Sequence, residues 1–247
     1  MKVSLITVVF NCEKFIEQCI QSVLTQDYPE IEYIIIDGKS SDRTPSIIHK
    51  YEKQLSYYVS EPDTGMYDAL NKGIASASGE LVGIVNADDY LAGPSVVSKL
   101  VQCLNWHNAD AVYGNLDYVG RYNTDIIYRK WRSNPLKRQD LKFGWMPAHP
   151  TLFIRKVFFQ RYGSYSLQLG TAADYDLILR FFYKYRLNAV FVDHLIVHMR
   201  MGGLSNRNLG AVVNAVKYDY EAMVGNQLPF PVLALIFKKL RKLKQFV

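Results

Sequence analysis

The first hundred residues alternate between short apolar runs and stretches with helical spacing, and few architectures accept that pattern. Residues 3–10, 32–37 and 80–85 are rich in β-branched side chains and have the length of buried strands. After the first of them, Phe15, Ile16, Cys19, Ile20, Val23 and Leu24 recur at helical spacing until Asp27-Tyr28-Pro29. Ser41 or Asp42 is placed to cap a helix running to about residue 53, and residues 56–60 form a third short strand. Gly65 precedes a helix over residues 66–77, and Pro94 opens another in its first turn. Strand and helix in strict alternation predict a mainly parallel, doubly wound sheet with helices on its faces.

The second half reads differently. Residues 111–118 and 125–131 look like strands with no clear helix between them, residues 151–154 are apolar, and residues 188–193 form another strand. Helical spacing returns over residues 174–185, 209–224 and 231–246. The expected organisation is one α/β domain over residues 1–227, followed by a basic amphipathic helix over residues 228–247.

Composition narrows the functional classes. With 49% hydrophobic and 21% charged residues, the chain has an ordinary globular balance. The net charge is +6, yet Lys238, Lys239, Arg241, Lys242 and Lys244 supply five of those charges, leaving residues 1–237 at +1. A basic face suited to nucleic acid is therefore not expected. The longest apolar stretches, residues 5–10 and 232–237, are too short to span a bilayer. The opening apolar run stops at Asn11-Cys12-Glu13-Lys14 with no cleavage pattern, and the three cysteines form no CxxC pair. Both features point to a cytoplasmic protein with reduced thiols.

Four constellations carry chemistry. Asn86-Ala87-Asp88-Asp89 follows the strand at residues 80–85, at the carboxyl end of a sheet, where open α/β folds bind ligands. Two adjacent carboxylates there repel unless a cation offsets them, and oxygen ligation suits Mg²⁺ or Mn²⁺ with substrate phosphates; Asn and Asp are also common in plain strand-end turns. Asp37 sits at the tip of the second strand, before Gly38-Lys39-Ser40-Ser41-Asp42, where a carboxylate accepts hydrogen bonds from a base or ribose. In Glu61-Pro62-Asp63-Thr64-Gly65, followed by a helix, Asp68 and Lys72 are an i,i+4 pair, with Asn71 on the same side as Asp68. In Thr171-Ala172-Ala173-Asp174-Tyr175-Asp176, Asp176 pairs with Arg180, and Asp174 is either an N-cap or a general base.

With these residues in place, the chain resembles the family 2 glycosyltransferases, enzymes of the GT-A nucleotide-sugar transferase fold. Ile6-Thr7-Val8-Val9-Phe10-Asn11, Ile36-Asp37-Gly38-Lys39-Ser40-Ser41-Asp42, Asn71-Lys72-Gly73 and Asn86-Ala87-Asp88-Asp89 occur in that family's order and spacing. The subgroup common in bacterial surface-polysaccharide synthesis is the most similar. The resemblance implies that Thr7, Phe10 and Asp37 contact a uridine nucleotide, with Asn71, Lys72 and His149 also assigned to the donor. It implies that Asp88 and Asp89 hold Mg²⁺ or Mn²⁺, and that Asp174 is the catalytic base of an inverting transfer. His149-Pro150-Thr151 and residues 201–205 would flank the acceptor and diphosphate, and Trp145, in the same loop, is a candidate for stacking on a sugar ring or for the core. Three departures stand out: Gly38 and Asn86 where the family usually has Asp, and Ala173 where it usually has Glu.

The implied partners are a nucleotide-sugar donor, a glycan or lipid-linked acceptor and, through the C-terminal helix with Ile236, Leu240, Leu243 and Val247 on one face, an anionic membrane. A sugar nucleotidyltransferase would carry a Gly-rich loop where Phe10-Asn11-Cys12-Glu13 stands. A dinucleotide oxidoreductase would carry G-x-G-x-x-G, absent here. A non-catalytic nucleotide- or sugar-binding module is the remaining alternative, raised by Asn86 and Ala173.

Overall fold

The computed structural model describes residues 1–202 and 209–243. Four parallel strands form its first half: β1 (Val3–Val9), β2 (Ile31–Asp37), β3 (Tyr57–Ser60) and β4 (Leu81–Ile84), with β1 between β2 and β4. Helices α1 (Ile16–Leu24), α2 (Thr44–His49) and α3 (Met66–Ser76) connect them. Every residue of β1 is buried, and side chains alternate between two cores as the pleat requires. Ile6 and Val8 join Ile34, Ile36 and the α3 residues Leu70 and Ile74 on one face. Val3, Leu5 and Val9 join Tyr33, Ile35 and the α1 residues Ile16, Ile20 and Val23 on the other. Gly73 lets α3 approach the sheet, since a Cβ there would lie 2.5 Å from Ile6 Cγ2.

The second half completes the sheet with mixed pairing. After β5 (Tyr90–Leu91) and α4 (Val96–Trp106) come β6 (Ala111–Val119), β7 (Ile127–Trp131), a short α5 (Arg138–Leu141), β8 (Phe153–Arg155), α6 (Lys156–Tyr162), α7 (Ala173–Ile178) and β9 (Ala189–Arg200). Among the described residues the order is β3-β2-β1-β4-β8-β6-β9-β5, with β7 on β6. Three boundaries differ from the sequence reading. Strand β9 continues seven residues beyond Asp193, because a bulge opposite Gly114 absorbs the polar Asp193-His194 step, and Asn115 Nδ2 bonds Asp193 Oδ1 at 2.8 Å. Pro94 lies before α4, whose N-cap is Ser95. Helix α2 stops at His49, and one further turn, Glu52–Gln54, follows.

The C-terminal segment is α8 (Leu209–Gly225) and α9 (Pro231–Leu243). Helix α9 packs on the domain through Ala234 and Lys238, and the Lys238 ammonium bonds Asp219 at 2.6 Å while lying 3.6 Å from the Tyr175 ring centroid. Of the apolar face expected there, Ile236 and Leu240 are exposed; the Leu243 side chain and Val247 lie outside the described residues.

Candidate active site

Strands β1, β2 and β4 run parallel, so their carboxyl ends share one rim, and the loops leaving it are tied together. Asn11, at φ 47°, accepts from Ser41 N at 2.8 Å, and its own N–H donates to Ser40 Oγ at 2.8 Å. Cys12 N donates to Thr44 Oγ1 and Glu13 N to Asp42 Oδ2, at 2.8 and 3.1 Å. Phe10 projects from this rim, 65% exposed.

Two residues assigned to the nucleotide do not face it. Thr7 is fully buried among the α1-side core, with Oγ1 3.1 Å from Tyr33 Oη. Its place in the β1 alternation, in phase with Leu5 and Val9, sends it there. Asp37 is also fully buried, and its oxygens accept from Ser40 N at 3.2 Å, Ser40 Oγ at 2.5 Å and Ser60 Oγ at 2.5 Å. It fastens the β2–α2 turn to β3.

The acidic strand end splits into unlike halves. Asp89 is buried and turned inward: Oδ2 accepts from Asn86 Nδ2 and Oδ1 from Arg200 N, both at 2.9 Å. Burial, then the neighbouring Asp88 charge, push its pKa up to about 7. Asp88 turns outward, with Arg121 Nη1 3.8 Å from its Oδ2 and the Arg200 guanidinium bonded to its backbone carbonyl. Arg121 and Arg200 both pack on the Phe15 ring, 4.7 and 4.9 Å from its centroid. Neither cation was among the sequence candidates; Arg200 stands directly before the Met201-Gly202 stretch that was. No cluster of three or more His, Cys, Asp or Glu side chains suited to a metal occurs among the described residues. Asp88 supplies one outward carboxylate, which fits a Mg²⁺-like ion that takes its other ligands from water and substrate phosphates.

Asp174 is the second residue of α7, whose N-cap is Ala172, so the capping role does not apply. Its half-buried carboxylate accepts from Tyr175 N at 2.7 Å. Around it stand three aromatic residues and one histidine. Burial and then the Asp174 charge hold the Tyr67 phenol well above its ordinary range. Tyr165 is held up for the same two reasons, and its Oη lies 2.7 Å from His149 Nε2. Burial lowers the His149 pKa, opposed by Asp174, so the ring is neutral at neutral pH. Burial raises the Tyr118 pKa, and the charges of both Asp89 and Asp174 add to it, so the acidic strand end and the start of α7 lie within electrostatic reach of one phenol.

Asn71 and Lys72 serve this wall and its approach. Asn71 donates to Tyr165 O and accepts from Tyr165 N, both at 2.9 Å, so its amide clamps a backbone instead of standing free for a donor. Lys72 pairs with Glu61 at 2.7 Å and donates to Pro62 O at 2.9 Å, fastening the β3–α3 loop. Trp145 is buried with its ring edge toward Tyr113, a core position and not a sugar platform. Asp176 and Arg180 pair as expected, at 3.2 Å.

Residues 4–163 match the model of glycosyl transferase family 2. The chain belongs to this family. An uncharacterized glycosyltransferase of Mycobacterium tuberculosis is 33% identical over 183 residues, covering 72% of this chain and 68% of the relative. A PGL/p-HBAD biosynthesis glycosyltransferase of Mycobacterium bovis is 27% identical over 213 residues, covering 82% and 78%. Among solved structures, residues 1–349 of S. aureus TarS in complex with UDP-GlcNAc superpose with TM-score 0.71 at 19% identity, covering 91% of this chain and 66% of that one. A longer TarS chain is matched over 39% of its own length. The mannosyltransferase PcManGT of Pyrobaculum calidifontis, solved with GDP-Man and Mn²⁺, gives 0.65 at 17%, covering 96% and 68%. These likenesses establish a GT-A glycosyltransferase fold, as the ordered motifs led us to expect.

Proposed function

We propose that this family 2 member is an inverting glycosyltransferase that moves a hexosyl or N-acetylhexosaminyl group from a uridine diphosphate sugar to a hydroxyl of a glycan or lipid-linked acceptor, in cell-surface polysaccharide synthesis. The observation that supports the reading is the pair of partly exposed carboxylates, Asp88 beside Arg121 at 3.8 Å and Asp174 at the start of α7 beside Tyr67, Tyr165 and His149. Asp174 takes the proton of the attacking hydroxyl as the new C–O bond forms and the bond to the diphosphate breaks; a positioned base contributes about 10²–10⁴-fold. One displacement inverts the anomeric carbon and needs no enzyme nucleophile. The packed wall of Tyr67, Tyr165 and neutral His149 flanks Asp174 with little competing charge.

The departing diphosphate gains negative charge at the Asp88 end. A Mg²⁺ or Mn²⁺ ion held by Asp88 would supply Lewis-acid stabilisation there. Arg121, half-exposed beside Asp88, is placed to add positive charge from the β6–β7 loop. Asp89 acts from behind, keeping Asp88 and the Arg200 backbone in place.

A cytoplasmic enzyme working at the inner membrane face accounts for the last helix. No described helix is long and apolar enough to cross a bilayer, but Phe230, Val232, Ile236 and Leu240 of the 228–247 unit are exposed apolar side chains near Lys239 and Arg241. A panel of nucleotide sugars assayed for Mg²⁺- or Mn²⁺-dependent hydrolysis tests the whole reading. Release of uridine diphosphate from one sugar is expected; no release or transfer with any donor would favour the non-catalytic binding module.

A further inference from the structure

We propose that Asp63, on the β3–α3 loop, is the residue that reads the nucleobase of the donor, through its free Oδ2 beside the exposed Phe10 ring. The inference rests on the nucleotide-sugar reading and assigns a residue that the motifs did not. The carboxylates at this corner of the rim can be taken in turn. Asp37 is buried, with both oxygens engaged by Ser40 and Ser60. Asp42 accepts from Thr44 N with one oxygen and from Glu13 N with the other. Glu61 pairs with Lys72. Asp63 uses Oδ1 to accept from Gly65 N at 2.8 Å, and among the described residues Oδ2 has no donor.

The direction of Oδ2 is fixed by Gly38. A Cβ built on Gly38 would overlap Asp63 Oδ2 and lie 3.5 Å from Phe10 Cδ2. The bare strand tip thus leaves room for a carboxylate from the next loop, set against the edge of an exposed ring. Where the family usually carries an aspartate, this chain has Gly38, and the negative charge arrives from position 63 instead. The loop is held for this purpose: Glu61 N bonds Asp37 O at 2.9 Å, and Lys72 bonds Pro62 O at 2.9 Å. An aromatic face supplies stacking for any base, whereas a carboxylate oxygen accepts only from a base edge that donates. Uracil donates at N3, where cytosine presents a lone pair, and cytosine's own donor, the N4 amine, lies one position along the edge, so a carboxylate set for N3 favours uracil.

The test is calorimetric binding of uridine and cytidine diphosphates to the full chain and its variants, with Mg²⁺ present. Wild-type protein is expected to prefer the uridine nucleotide by about tenfold or more, the value of one charge-assisted hydrogen bond. Asp63→Asn keeps an acceptor for Gly65 N but offers an amide donor to the base, so the preference should vanish or reverse while the melting temperature holds. Should that variant fold poorly, Asp63→Ser retains a turn acceptor and should lose the preference likewise. Moving the carboxylate back, in the double variant Gly38→Asp/Asp63→Gly, should restore it. An unchanged uridine-to-cytidine ratio in Asp63→Asn, whatever the absolute affinities, would overturn the assignment while leaving the donor reading intact. A wild-type protein that binds neither nucleotide would overturn the donor reading and this inference together.

Discussion

Replacing Asn71 separates two accounts of the Asn-Lys-Gly motif. The structure gives its amide two hydrogen bonds, to Tyr165 O and from Tyr165 N, both 2.9 Å and part-buried. In Asn71→Ala both Tyr165 backbone groups lose their partner. An unsatisfied buried group costs about 1–3 kcal/mol, and partial access to water puts each near the lower end. Alanine's better helix propensity returns about 0.6 kcal/mol. The net loss is about 1.5 kcal/mol, which for a domain of this size lowers Tm by roughly 3–6 °C. Lys72→Ala is the control: its partner Glu61 is about half exposed, with relative side-chain accessibility 47%, and a surface ion pair contributes about 1 kcal/mol at most. Tyr165 also carries His149 and faces Tyr67, so kcat should fall in Asn71→Ala by more than donor affinity does. Thermal melting, donor calorimetry and steady-state kinetics on the same preparations decide the matter. A variant that melts within about 1 °C of wild type yet loses donor affinity tenfold would refute the clamp and return Asn71 to the donor.

Asp174→Asn should lower turnover by about 10²-fold or more with donor affinity nearly unchanged, and near-normal turnover would exclude Asp174 as base. Asp88→Ala should abolish metal-dependent binding of a uridine diphosphate sugar in calorimetry without a change in Tm, because the side chain is outward. Ile236→Glu/Leu240→Glu, at two exposed positions of α9, should release the protein from anionic vesicles in sedimentation; truncation after Gln227 is a poorer test, because Ala234 and Lys238 pack on the domain. His149 has a lowered folded pKa, so the unfolded chain binds the proton more readily. Stability on this account is full above about pH 6.5 and falls as pH drops below it. Denaturation midpoints should therefore fall less on acidification in His149→Gln than in wild type.

In the parallel half, β1, β2 and β4 were legible because they are buried on both faces and read as unbroken apolar runs. The mixed half was not. Two-residue β5 gives no periodic signal, and β9 hides its length behind Asp193-His194, which a bulge accommodates only because Gly114 and Asn115 stand across from it. The site shows the same division. Asp88 and Asp174 stood out from their places at a strand end and a helix start, and Phe10 through the family resemblance. Thr7 could have been set aside by counting along β1, since it shares the phase of Leu5. Asp37 could not, because its fate depends on Ser60, which arrives from another strand. Arg200 meets Asp89 from 111 residues away in sequence, a contact that no local pattern encodes.

The Asn86 departure looks different once the two aspartates are seen to point opposite ways. Neighbouring carboxylates on one side of a turn would compete for the same cation and repel each other in its absence. Turning Asp89 inward removes that conflict but buries a negative group, which is tolerable only with donors on both oxygens. Asn86 Nδ2 is one of those donors and Arg200 N is the other. An aspartate at position 86 would instead face Asp89 Oδ2 with a second acceptor at hydrogen-bond distance. The substitution of amide for acid is therefore the condition for the split, and the split is what leaves Asp88 turned outward beside Arg121. A motif that looks weakened by one missing charge is, in three dimensions, one outward carboxylate above a hydrogen-bonded inward one.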